Sequence, residues 1–133
     1  MAKTPRALDV DHAEVLSRRM VWRFADLDDD GRWSLSAAQP SAMRDVLSKM
    51  RSFETMLLGE LFRGEHGKRY PIEVLCSDAQ RRLEELEKDD ETEVVRLRCG
   101  GKERLYGLLR DHVFHVLWWD PEHEVCPSVL RNT

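Results

Sequence analysis

The sequence predicts an α+β domain, with helices packed on an antiparallel sheet that ends in a three-stranded meander. Three observations carry this. The last third holds three runs of strand character, TEVVRLRC, KERLYGLLR and HVFHVLWWD, separated by Gly100-Gly101 and by Asp111-His112. Links this short join antiparallel neighbours, and a Gly-Gly pair is a strong hairpin signal. The middle third holds the clearest helix: Met43, Val46, Leu47, Met50 and Phe53 recur at i, i+3, i+4, i+7 and i+10. A run of helices followed by a run of strands, without repeat or linker, reads as helices on one face of a sheet in a single domain, 1–133.

Taken in order, LDVDHAEVLSRR (8–19) has the apolar spacing of a short helix. MVWRFADL (20–27) puts Met20, Trp22 and Phe24 on one side at period two, as a strand does. Pro40 suits a first helical turn and opens the helix near 40–53. Thr55 is placed to cap a further short helix through Phe62, and Gly64 and Gly67 break that pattern. RYPIEVL reads as extended. Ser77 with Gln80 three residues later forms a capping box for a helix near 78–88, with Ala79, Leu83 and Leu86 inward. The meander then occupies 92–120.

Composition narrows the function classes. Of 133 residues, 41% are hydrophobic, enough for a core, and 35% are charged. No apolar run approaches the ~18 residues a membrane helix needs, and MAKTPRALDVDHAEV lacks the apolar core of a signal peptide. Three widely spaced cysteines, Cys76, Cys99 and Cys126, fit reduced thiols in the cytoplasm better than a disulfide framework. The net charge of -4 counts against a broad nucleic-acid grip. The charge is uneven, however. Residues 78–93 carry eight acids against three bases, whereas residues 94–110 carry five bases against one acid. A local basic face on an acidic protein is therefore open.

Two segments have the residue types of metal sites. In FADLDDDGRWSLSAAQ, Asp26, Asp28, Asp30 and Gly31 match the first half of a calcium loop, but its twelfth position is Ala37, which has no ligand atom. The stretch reads as an Asp-rich turn whose side chains bond their own backbone. His112, His115, His123 and Cys126 are zinc-type ligands. A three-residue step along a strand sends His112 and His115 to opposite faces, and two ligands are too few. No metal and no cofactor are expected. CGGKE lacks the remaining positions of a phosphate-binding loop. Cys76 beside a helix start reads first as a small buried hydrophobe.

The meander carries the remaining chemistry. Arg104, Tyr106, Leu108 and Arg110 share one face of their strand, read here as the solvent face. Arginine there neutralises a phosphorane-like charge, and a histidine or glutamate nearby moves protons. The alternative is a solvated sheet face with its arginines paired to the acidic segment 78–93.

ERLYGL and PEHEV, set in this element order, resemble the C-terminal half of the RelE/ParE superfamily of bacterial toxins, over about residues 92–126. The resemblance implies a RelE-like fold and an RNA-cleaving toxin of a toxin-antitoxin pair, or a descendant of one. Arg104 would hold the scissile phosphate with Tyr106 beside it, His123 would be general acid, and Glu73 or Glu103 the base. It departs from that pattern in its acidity and in having Val125 rather than an adjacent tyrosine after His123. Implied partners are an antitoxin-like protein, ribosome-bound RNA and a second copy in a homodimer, with no membrane. Over most of the chain, FADLDDDGRWSLS, AQRRLEEL and FHVLWWDPEHEVCPS also resemble a group of small bacterial proteins without an assigned activity, which implies a domain type and no catalytic residues. A non-catalytic interaction module, with Trp118 and Trp119 in a core or partner surface, is the competing expectation.

Overall fold

The computed structural model describes residues 9–127, with side chains from Ala13 onward. Its centre is the predicted meander: β3 (Glu93–Gly100), β4 (Glu103–Arg110) and β5 (Val113–Asp120), each antiparallel to the next. Gly100 and Gly101 turn β3 into β4 at φ 139° and 49°, values a side chain resists. Asp111 holds a left-handed φ of 56° in the next turn, a conformation aspartate tolerates.

Among the described residues two further strands widen the meander into a five-stranded sheet of order β1-β5-β4-β3-β2. The expected extended segment RYPIEVL is split: β2 (Gly67–Pro71) pairs antiparallel with β3, and Ile72–Val74 forms a 3-10 turn. The expected strand 20–27 is only β1 (Val21–Arg23), and it runs parallel to β5, so the sheet is mixed. Beyond it the chain turns: Leu27 N–H reaches Phe24 O at 3.1 Å, and Asp28 N–H reaches Leu117 O at 3.2 Å.

Among the described residues four α-helices accompany the sheet: α1 (Asp9–Leu16), α2 (Pro40–Glu54), α3 (Leu58–Arg63) and α4 (Ser77–Glu85). In α2, Val46, Met50 and Phe53 are buried, each worth about 1.5–3 kcal/mol of transfer from water. Leu47 belongs to the same periodic set yet is half exposed, because it lies at the edge of the stripe. The caps differ from those expected. Thr55 closes α2, and α3 is opened by Glu60, whose carboxylate accepts Leu57 N–H at 2.7 Å. Cys76, not Ser77, caps α4, and Gln80 Nε2 donates to Leu75 O at 2.9 Å.

Both faces of the sheet are covered, whereas one was expected. Leu105, Val95, Leu97, Phe114, Val116 and Trp119 pack with α2 and α3. Val94, Tyr106, Leu108, Leu117 and Trp118 pack with Ala79 and Leu83 of α4 and with Trp33. A bulge in β5 makes this division. Tyr106 pairs with Trp118 and Gly107 with Val116, so Leu117 is an extra residue and both Leu117 and Trp118 face α4. Trp118 and Trp119 do point to opposite faces, and both are buried in core, so neither forms a surface.

Candidate functional site

The Asp-rich turn is a structural device. Asp28 is buried, and Arg82 of α4 donates to it twice, Nη2 to Oδ1 at 2.7 Å and Nε to Oδ2 at 2.8 Å. Trp118 Nε1 donates to Oδ2 at 2.9 Å, and the Gly31 and Asp30 amides donate to Oδ1 at 3.0 and 3.3 Å. Burial pushes this carboxyl up, but the Arg82 and Trp118 hydrogen bonds and the Arg82 charge outweigh it and hold it at about 2. Gly31 is needed because a Cβ there would run into the Asp28 carboxylate and the Arg82 guanidinium. Asp26 is paired separately, 3.2 Å from Lys88 Nζ. Among the described residues no group of three or more His, Cys, Asp or Glu side chains is arranged to hold a metal ion. His112 lies in the turn before β5 rather than in the strand.

Arg104 and Tyr106 share the α4 side of β4, as their alternation requires. That side is not solvent. Arg104 is 9% exposed and Tyr106 fully buried, because Trp33, α4 and the turn after β5 cover this face. Glu103, one residue away, takes the opposite face, so strand parity removes it as a base for chemistry at Arg104. Glu73 is exposed in the 3-10 turn. His123 is half-buried, with a left-handed φ of 60°, in the turn that follows Asp120. Its charge acts on Asp120, whose own carboxyl is raised chiefly by burial, against the amides of Glu124 and Val125 bonded to it at 2.9 and 2.8 Å.

Strand register extends the site beyond the residues read from the sequence. Lys68 pairs with Arg96, Arg96 with Tyr106, and Tyr106 with Trp118, which makes one row of side chains across the sheet. The next row is Arg98, Arg104 and Asp120. Directly paired residues have Cβ atoms about 4.5–5.5 Å apart, and like charges so placed repel. Here Lys68 faces Arg96, and Arg98 faces Arg104. Among the described residues none of these four cations has a carboxylate within 4.0 Å. The basic residue of β4 that does pair with the acidic segment is Arg110, 2.6 Å from Glu91.

The buried members of the rows are poorly satisfied. Arg96 is 5% exposed, and its Nε and Nη1 have no hydrogen-bond partner among the described residues; the same holds for Arg104 Nε and the Tyr106 hydroxyl. Arg96 lies over the Tyr70 ring, 5.8 Å from its centroid, with Lys68 at 5.4 Å from the same ring. Arg104 Nη1 donates to the carbonyls of Gly101 and Glu103 at 2.7 and 2.9 Å. Burial, then the charges of Arg96 and Arg98, depress the Arg104 pKa. Burial raises that of Tyr106, which stays a neutral hydroxyl able to donate. Guanidinium forks and a neutral hydroxyl are donor types that suit a phosphate or carboxylate group, and here they are buried with donors unpaired among the described residues.

Arg96, Arg98, Lys68 and Tyr70 were missed because alternation within one strand was read without the pairing between strands. The signal was present: Arg96-x-Arg98 and Arg104-x-Tyr106 lie on either side of Gly100-Gly101, so a tight hairpin opposes them. Comparison of the chain with models of protein families, with curated proteins and with solved structures found no match.

Proposed function

We propose that the chain handles phosphate groups on RNA, as an RNA-cleaving toxin of RelE-like type or a descendant of one, in the bacterial cytoplasm. The observation that carries this reading is the pair of like-charged rows, Lys68–Arg96 and Arg98–Arg104, in which buried guanidinium nitrogens lack partners among the described residues. Burying Arg96 and Arg104 with donors unpaired costs several kcal/mol, because exposed Lys68 and Arg98 add like charge across the strands and Asp120, opposite Arg104, gives its oxygens to the Glu124 and Val125 amides. A phosphate group spanning Arg96, Arg104 and the Tyr106 hydroxyl offsets that cost with charge-assisted hydrogen bonds. In the catalytic version, Arg104 and Arg96 hold the phosphate, Tyr106 donates to it as a neutral hydroxyl, and His123 supplies the proton. Glu73 remains as base and Glu103 does not.

Phosphate binding is tested by thermal unfolding and calorimetry in chloride buffer with added inorganic phosphate or a short RNA. Anions that bind only the native state raise the unfolding midpoint. Absence of both heat and midpoint shift would remove the reading altogether. Cleavage is tested by expression in bacteria: growth arrest with cut messages supports it, and harmless expression of a phosphate-binding chain leaves binding without catalysis.

The competing reading is a protein-interaction module, favoured by one feature of α2. Leu47, half exposed, stands with Pro40 and Met43 in a shallow groove flanked by Arg44, Ser48 and Arg51. An antitoxin-like partner or a second copy of the chain would dock there on either reading. No helix of the described residues is long and apolar enough to cross a membrane.

A further inference from the structure

We propose that Cys76 and Cys126 are a redox-active pair that closes to a disulfide between the head of α4 and the turn after β5, with a low-molecular-weight disulfide as oxidant. This is independent of the phosphate reading. Cys76 N–H donates to Val125 O at 2.8 Å. The carbon of that carbonyl is bonded to the Cys126 nitrogen, so the two cysteine backbones run side by side. A disulfide needs Cα atoms within about 7 Å and side chains that converge. The backbone bond meets the first condition. Toward the second, Cys126 Sγ turns to the segment that leads into Cys76, 3.7 Å from Val74 O, close enough for the charge of Cys76 to act on it.

The turn is held in place before any bond forms. Asp120 is completely buried, and its two oxygens accept the Glu124 and Val125 amides. Both thiols are half-buried and so within reach of a small reagent. Their settings differ. Cys76 caps the nine-residue α4 at its exposed head. Burial raises the Cys126 thiol, against the charges of Lys68 and Arg96. With the Cys126 thiolate disfavoured by burial, the exchange starts at Cys76. The Cys76 thiolate attacks one sulfur of the external disulfide and expels one thiolate, leaving a mixed disulfide. Cys126 then loses its proton to water and attacks Cys76 Sγ, expelling the second thiolate. Two cysteine thiols are oxidised and one external disulfide is reduced to two thiols.

Cys99 is an internal reference. It lies in β3 at 5% exposure with its thiol pushed up by burial to about 12. The native chain is incubated with oxidised glutathione at about pH 8, where thiolates form. It is then quenched with an alkylating reagent and mapped by mass spectrometry. The expected product has lost two hydrogens, contains a cross-linked peptide with Cys76 and Cys126, and leaves Cys99 reduced until the chain is unfolded. Its unfolding midpoint is higher than that of the reduced chain, because the cross-link closes a long loop. Cys126→Ser is expected to accumulate the mixed disulfide at Cys76. Separate glutathione adducts on both cysteines of the wild type, or a disulfide only between two chains, would overturn the proposal.

Discussion

Two buried charged centres share the α4 face of the sheet, and the row that ends at Trp118 joins them. At one end Asp28 receives Arg82 twice, Trp118 Nε1 and two backbone amides. At the other, Arg96 and Arg104 face cations across the strand gap, with nitrogens that find no partner among the described residues. Both centres bury charge, so burial does not separate a structural site from a functional one. Satisfaction does. The carboxylate centre stabilises the fold by itself, whereas the arginine centre keeps donors without partners among the described residues, and these are what the proposed anion would satisfy.

The sharpest way to break this comparison is to remove Asp28. Asp28→Ala leaves Arg82 and the Trp118 N–H without their acceptor under α4. It is expected to cost about 3–5 kcal/mol, the range for breaking a buried ion pair from one side. Urea unfolding measures it, and a loss below 1 kcal/mol would show that the network is not what holds the loop.

Acid makes the same point with a smaller effect. The folded Asp28 carboxyl titrates at about 2 against an ordinary 3.8. Its stabilisation is therefore complete above the ordinary value and is lost as pH falls from there through about 2, an amount of about 2 kcal/mol. Unfolding curves of wild type and Asp28→Asn should converge over that window. Curves that stay parallel would assign the acid limb to other groups.

At the arginine centre the sign of the effect reverses. Arg96→Met removes a repelled cation and keeps its volume. In chloride buffer its stability is expected to be unchanged or higher by about 1–2 kcal/mol. The phosphate-induced rise in midpoint should vanish. A destabilised Arg96→Met that still gains from phosphate would make Arg96 structural. Smallest of all is Arg98→Ala. This arginine is exposed, so stability should move by no more than about 0.5 kcal/mol, while phosphate affinity falls and becomes less salt-dependent. Arg104→Ala is a poorer probe, because it also removes the bonds to the Gly101 and Glu103 carbonyls.

Local pattern determined much of this protein. The 3.6-residue spacing after Pro40 specified α2, the Gly-Gly and Asp-His links specified the meander, and parity put Arg104 and Tyr106 on one face. Each is a property of neighbours in the chain, and each is legible without knowing what packs against it. Tertiary structure decided the rest. Val21–Arg23 became a parallel edge strand because it lies against β5, and the extra residue Leu117 turned two successive side chains toward α4. Asp28 proved structural because Arg82, 54 residues away, comes to meet it. Arg96 and Arg104 became candidates because strand register sets cation against cation under a covered face. Whether a buried charge is satisfied depends on partners distant in sequence, and no periodicity within one segment encodes them.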